Sequence, residues 1–194
     1  MGVPASKADV RRSLREQRRE RKADGDEARR IAEHVLDLEE VQSACKQGAA
    51  IACYVARPDE PPTHELIDSL RRAGATVLLP RVEGKDLAWV ATDTDSSYAT
   101  NAMNIDEPVG DATDETPALW IIPALAVDAD GFRLGQGGGF YDRTLADLPN
   151  DGRGPIIALV FEHESLPEVP REDHDHRVDV VVTPERVRWP SMPD

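Results

Sequence analysis

Two cysteines in 194 residues, Cys45 and Cys53, cannot build a disulfide framework, and both lie in or beside apolar stretches. They read as buried fillers, because no electropositive setting marks either thiol as reactive. No apolar run approaches the roughly 20 residues a membrane helix requires. The opening MGVPASKADVRR lacks the apolar core of a signal peptide. The expectation is a soluble, cytoplasmic, monomeric protein. Internal repeats are also absent, as is the GxxxxGK[ST] phosphate loop. The dinucleotide fingerprint GxGxxG is a poor match, because the glycine-rich stretch does not follow a first strand.

What is there is charge of uneven sign. The net charge is −14, yet residues 1–30 carry ten Lys/Arg against six Asp/Glu. An acidic body repels nucleic acid and anionic membranes. The basic N-terminal stretch is therefore where an anionic ligand would be met, unless it is a solvated helix face of i,i+4 ion pairs. Ser6 with Asp9 three residues on forms a capping-box start for a helix over 7–22. A second helix is expected over about 26–41, with Ala28, Ile31, Ala32, Val35 and Leu38 at helical spacing.

Short apolar runs then alternate with a helix. Residues 49–55 and 75–80 read as buried strands flanking a helix capped by Thr63, a βαβ unit that implies parallel pairing. Residues 86–91 form a further strand. Residues 92–117 are polar, a loop long enough to be functional. Residues 119–127, 155–161 and 178–183 complete the strands, with Arg188-Trp189 at an edge. At 194 residues the chain suits one domain, with the helical segment 1–42 packed on an α/β body. The expected fold is a three-layer α/β/α arrangement with a largely parallel sheet.

The most informative segment is Arg133-Leu134-Gly135-Gln136-Gly137-Gly138-Gly139-Phe140-Tyr141-Asp142-Arg143. It follows a buried strand and opens a helix, at the sheet edge where such folds bind ligands. Successive glycines let backbone N–H groups approach a phosphate, and the helix start adds partial positive charge. Arg133 can supply a bidentate guanidinium. Asp142, in the first helical turn, either compensates the helix dipole or holds Mg²⁺ beside the phosphates. His174-Asp175-His176 could be read as part of a zinc cluster, but no third ligand is evident.

RLGQGGGFYDR closely resembles the signature of the 5-formyltetrahydrofolate cyclo-ligases, RLGxGxGYYDR. Other pieces fall in that family's order: Lys7 and Arg11, Asp59-Glu60, LLPR (78–81), Glu107-Pro108, IIPALAVDADGFR and Asp175 in HDHRVDVVVTPE. The resemblance covers nearly the whole chain. It implies the α/β/α fold shared with ribose-5-phosphate isomerases and CoA transferases. It also implies an ATP- and Mg²⁺-dependent conversion of 5-formyltetrahydrofolate, with or without a polyglutamate tail, to 5,10-methenyltetrahydrofolate. By the same resemblance ATP would be held by Lys7, Arg11, Arg133, Leu134, Gly135, Gln136, Gly137, Gly138, Gly139, Phe140 and Tyr141. Folate would meet Val55, Glu60 and residues 136–140; Asp142 and Asp175 would ligate Mg²⁺; Arg133, Tyr141 and Lys7 would act in catalysis. Gln136, Gly138, Phe140, Ala118 and Ala124 depart from the common pattern. Those departures keep open a non-catalytic ATP- or folate-binding regulator. A sugar-phosphate isomerase fits the fold, but lacks a clear proton-transfer set.

Overall fold

The computed structural model describes residues 6–101, 105–148, 153–172 and 175–191. Helix α1 spans Lys7–Glu20 and opens as the sequence indicates, with the Ser6 hydroxyl accepting from the Asp9 N–H at 3.2 Å. The single helix expected over 26–41 is instead two, α2 (Glu27–Leu36) and α3 (Glu39–Lys46). The chain breaks at Leu38, whose backbone is extended. Val35, Leu38, Val41 and Ala44 are all buried, so their i,i+3 spacing runs across the break and hides it.

Strand β1 (Ala50–Ala52), helix α4 (His64–Arg72) and strand β2 (Thr76–Glu83) form the βαβ unit, with β1 and β2 parallel. Thr63 precedes α4 without capping it. Its hydroxyl donates to the Tyr54 carbonyl at 2.7 Å and accepts from the Ala56 N–H at 3.0 Å, pinning the loop after β1. Strand β3 (Asp86–Thr92) pairs antiparallel with β2 across a tight turn. The stretch read as a loop over 92–117 contains a small hairpin, β4 (Tyr98–Thr100) with β5 (Asp106–Pro108). The run 119–127 is also divided. β6 (Leu119–Pro123) belongs to the central sheet, while β7 (Ala126–Val127) pairs with β8 (Arg133–Leu134). Helix α5 (Phe140–Ala146), β9 (Ile156–Leu159), a 3₁₀ turn at Glu162–Glu164, β10 (Val180–Val182) and β11 (Val187–Arg188) follow.

The central sheet has the order β11-β10-β9-β6-β1-β2-β3, parallel except for its two outer strands. Alternate residues face opposite layers. Ile51, Val77, Leu119, Ile121, Ile157 and Val180 pack with α2, α3 and α4, whereas Ala52, Trp120, Ile122, Ala158 and Val181 face Leu145 of α5. This is the three-layer α/β/α arrangement. The chain leaves β1 toward β2 on one side and later returns as β6 on the other. That reversal opens a crevice beyond the carboxyl ends of β1 and β6. No helix among the described residues is long and apolar enough to cross a membrane.

Helix α1 lies apart from these layers. Leu14 packs with Leu125, Ala126, Leu134 and Val169. Its firmest tie is polar: Arg18, fully buried, donates to both oxygens of buried Glu164 at 2.5 and 2.9 Å and to the Ala124 carbonyl at 2.6 Å. Burial alone would lower the Arg18 pKa, but the Glu164 carboxylate holds it above its ordinary range. Replacing one partner strands the other charge in the interior, which costs about 3–5 kcal/mol. We therefore expect Glu164→Ala to lower the urea midpoint strongly. Glu33→Ala, which breaks the exposed Arg29–Glu33 pair, should leave that midpoint almost unchanged; equal midpoints for the two variants would contradict the assignment.

Candidate functional site

The glycine-rich stretch emerges from β8 with its conformation set by backbone freedom. Gly137 and Gly139 have φ of 101° and 69°, which L side chains rarely adopt. Gly139 is the residue that caps α5. Together with the segment after β1 and the β2–β3 hairpin, the loop encloses a cavity of about 260 Å³. Val55, Glu60, Arg133, Gly135, Gln136, Gly137, Gly138, Gly139, Phe140, Tyr141 and Asp142, all anticipated from sequence, line it. Leu134 does not: its side chain is buried between β8 and α1. Lys7, Arg11 and Asp175 are not among the lining residues; Arg11 touches the loop at the Gly135 carbonyl, and Lys7 and Asp175 pair with each other.

Residues 7, 11, 15 and 18 fall within about 80° of one another around a helix of 3.6 residues per turn. Each engages a different partner. Lys7 Nζ lies 2.5 Å from Glu172 Oε2 and 2.7 Å from Asp175 Oδ2. Arg11 Nε donates to the Gly135 carbonyl at 2.9 Å. Arg15 Nε donates to Gln136 Oε1 at 3.0 Å, and its Nη2 to the Gln136 carbonyl at 2.5 Å. Desolvation tends to lower the Lys7 pKa, but the hydrogen bonds and charges of Asp175 and Glu172 raise it on balance. The basic N-terminal face is thus folded onto the glycine loop and its neighbours.

Arg133 is almost fully buried, pairs with Asp142 and donates to the Pro123 carbonyl at 3.3 Å. Its guanidinium carbon stands 6.0 Å from the Tyr141 ring centre. Burial pushes the Tyr141 phenol well above its ordinary range, and the Glu60 charge adds to the shift. Tyr141 is therefore a neutral hydroxyl at any physiological pH. Glu60, at the far wall, accepts from the Arg57 N–H at 3.1 Å. Its own pKa is raised, chiefly by desolvation.

The two candidate Mg²⁺ ligands are each paired with a cation. Asp142, one third exposed, pairs with Arg133 at the cavity wall. Asp175 pairs with Lys7 and accepts from the Glu172 N–H at 2.7 Å. No group of three or more His, Cys, Asp or Glu gathers among the described residues, and His174 lies outside them. That donor set does not suit zinc. Either carboxylate could serve Mg²⁺, which takes one or two carboxylates and completes its shell with phosphate oxygens and water.

Sequence reasoning missed several of the site's residues. Arg15 could have been found by carrying the Lys7–Arg11 spacing one further turn. Arg57, Pro80, Val82, Leu87 and Ile105 form much of the cavity's walls; Arg57 comes from the segment after β1 and the others from the β2–β3 hairpin and the loop packed on it, and of these only Pro80, in LLPR, falls in a motif the sequence offered. Glu107 also lines the cavity; one carboxylate oxygen accepts from the Val82 N–H at 2.9 Å and from Asn101 Nδ2 at 2.8 Å. Asp128, fully buried, accepts from the N–H groups of Asp130 and Phe132 at 3.0 and 2.9 Å and from Arg171, closing the turn that delivers Arg133.

Residues 3–184 match the model of the 5-formyltetrahydrofolate cyclo-ligase family. The 5-formyltetrahydrofolate cyclo-ligase of Mycolicibacterium smegmatis is 35% identical over 151 residues, covering 72% of this chain and 75% of that protein. The Escherichia coli K12 protein of the same name is 33% identical over 144 residues, covering 71% and 79%. In fold, the chain superposes on the NMR structure of Aquifex aeolicus 5,10-methenyltetrahydrofolate synthetase with a TM-score of 0.77 at 24% identity, covering 94% of this chain and 92% of that one.

Glu60 gives a pH prediction. Its native pKa lies above the ordinary 4.5. Between the two values the native state keeps a proton that the unfolded chain has released, so stability falls as pH rises through that window and is level above it. We expect wild type to lose stability relative to Glu60→Gln as pH rises from about 4.5, in urea unfolding series. Wild type gaining stability relative to Glu60→Gln over that range would contradict the burial argument.

Proposed function

The chain belongs to the 5-formyltetrahydrofolate cyclo-ligase family, and we propose that it converts 5-formyltetrahydrofolate to 5,10-methenyltetrahydrofolate in the cytoplasm, consuming ATP with Mg²⁺. The observation that carries this reading is the two-sided cavity. One wall is a glycine loop backed by the cations of α1 and by Arg133. The opposite wall is largely apolar, from Val55, Pro80, Val82, Leu87 and Ile105, with Arg57, Glu60 and Glu107 among them, and suits a flat heterocycle. The whole chain would act as one domain, since α1 belongs to the site.

The N5-formyl group is an amide and a poor electrophile. In the proposed reaction its oxygen attacks the γ-phosphorus of ATP; a P–O bond forms as the bond to the β-phosphate oxygen breaks, and ADP departs. The N10 lone pair then forms a C–N bond with the activated carbon. The C–O bond breaks, inorganic phosphate leaves with the former formyl oxygen, and the N10 proton is lost to solvent. No covalent enzyme intermediate is required; positioning and charge stabilisation suffice.

Lys7, Arg11 and Arg133 would offset phosphate charge, and the N–H groups of residues 135–141 would donate to phosphate oxygens. Tyr141 would supply a neutral hydroxyl. Val55 and Phe140 would flank the folate, and Glu60 would meet the pterin N–H groups. Asp142 and Asp175 would hold Mg²⁺, which neutralises charge on the transferring phosphoryl group. Arg133 and Asp142 neutralise each other; a divalent cation on Asp142 would leave the guanidinium for the phosphates.

The test is the rise in methenyltetrahydrofolate absorbance on mixing the protein with 5-formyltetrahydrofolate. It should require both ATP and Mg²⁺. Asp142→Ala should reduce turnover by about 10²-fold or more while preserving the circular dichroism spectrum. Turnover at the wild-type rate in that variant would remove the metal assignment. ATP binding by wild type without turnover would instead favour a regulator.

A further inference from the structure

The apolar wall of the cavity is assembled from separate pieces of chain. Val82 and Leu87 come from the β2–β3 hairpin, and Ile105 from the residue that leads into β5. Strand pairing does not join these pieces. β1 pairs with β2 over residues 76–78 only, whereas β3 follows the other edge of β2 from Val77 to Glu83. The outer half of one β2 edge therefore has no strand paired with it, and its backbone groups need other partners.

Side chains take the place of that strand. One carboxylate oxygen of half-buried Glu107 accepts from the Val82 N–H at 2.9 Å and from Asn101 Nδ2 at 2.8 Å. The oxygen of the Asn101 amide accepts from the Ile105 N–H at 3.1 Å, and the Asn101 N–H donates to the Ile105 carbonyl at 2.8 Å. Val82, Glu107, Asn101 and Ile105 thus form one continuous chain of hydrogen bonds, and all but Asn101 line the cavity. The chain sets where Ile105 stands relative to Val82. Both donors to Glu107 are amides, so a carboxamide oxygen in its place could accept from them equally. Two further ties hold the segment beyond β5 independently. Arg81 Nη1 donates to the Gly110 carbonyl at 2.6 Å, and the Thr113 N–H to the Trp89 carbonyl at 2.8 Å. Loss of Glu107 would then loosen the cavity end of the β4–β5 hairpin without detaching it.

We propose that Glu107 is a positioning residue that, with Asn101, docks the β4–β5 hairpin on the open edge of β2 and so holds Ile105 in the wall that receives the reduced folate. This rests on the cyclo-ligase reading and deepens it, by assigning the shape of the folate wall to a carboxylate that acts through its neighbours rather than on the ligand. The glycine loop, which faces the nucleotide in that reading, has no part in the docking.

The experiment compares calorimetric Kd values for 5-formyltetrahydrofolate and for a non-hydrolysable ATP analogue, with methenyltetrahydrofolate formation followed alongside. Glu107→Ala should weaken folate binding about tenfold, the scale of one charge-assisted hydrogen bond, and move the analogue's Kd less than twofold. Asn101→Ala breaks the same chain one link on and should act likewise, which keeps the test open if Glu107→Ala fails to fold. Glu107→Gln should stay within twofold of wild type. Ile105→Ala should weaken folate binding by itself, yet add less than twofold when combined with Glu107→Ala, because the two act as one. Wild-type folate affinity in both Glu107→Ala and Asn101→Ala would overturn the proposal. So would Glu107→Gln as weak as Glu107→Ala, the mark of a charge that meets the ligand directly. Losses at Glu107 and Ile105 that multiply, or equal losses for folate and analogue, would also overturn it. A wild-type chain that binds folate without turnover would count against the cyclo-ligase reading alone, because the Kd comparison still tests the docking.

Discussion

The site depends on one helix face laid across one loop. Lys7, Arg11, Arg15 and Arg18 occupy a single stripe of α1 and reach, in turn, the Asp175 segment, the Gly135 carbonyl, Gln136 and buried Glu164. The glycine loop has little side-chain bulk with which to hold its own shape. Backbone freedom lets residues 137 and 139 take left-handed conformations, but that freedom costs order unless something external restrains it. The arginines of α1 supply the restraint by hydrogen-bonding loop carbonyls and the Gln136 amide. The buried Arg18–Glu164 pair anchors the helix that carries them.

The same contacts bring cations to the glycine loop of an acidic protein. Lys7, Arg11 and Arg15 share one face of α1, Arg133 stands at the cavity wall, and partner carboxylates orient Lys7 and Arg133. Two of them are held by carboxylates, Arg133 by Asp142 and Lys7 by Asp175. A site of this kind is ordered before its ligands arrive, which lowers what binding must spend on organisation.

Much of the sheet was legible because its parallel strands are buried on both faces and appear as continuous apolar runs. Two breaks were not. The helical period continues through Leu38 although its backbone is extended, and the apolar run over 119–127 continues through Pro123 although the chain leaves the central sheet there. Hydrophobic pattern records which residues are buried, and it is silent on which element buries them. The loop was legible for a different reason, since successive glycines beside Arg, Tyr and Asp state a backbone requirement and a charge pattern together. The Lys7–Arg11 spacing marks the position of Arg15, but its role, like most of the walls from the β2–β3 hairpin, arises from tertiary juxtaposition that no motif records. Arg15 looks like any of the other arginines in α1 until Gln136 is set against it.

The central claim is that residues 135–139, backed by α1, cradle a triphosphate. The most direct measurement is a crystal structure with a non-hydrolysable ATP analogue and Mg²⁺. The account predicts phosphate oxygens within hydrogen-bond distance of the loop N–H groups, the metal on Asp142, and Arg133 turned from that carboxylate to the phosphates. An analogue bound elsewhere, with the loop empty and the Arg133–Asp142 pair intact, would contradict it.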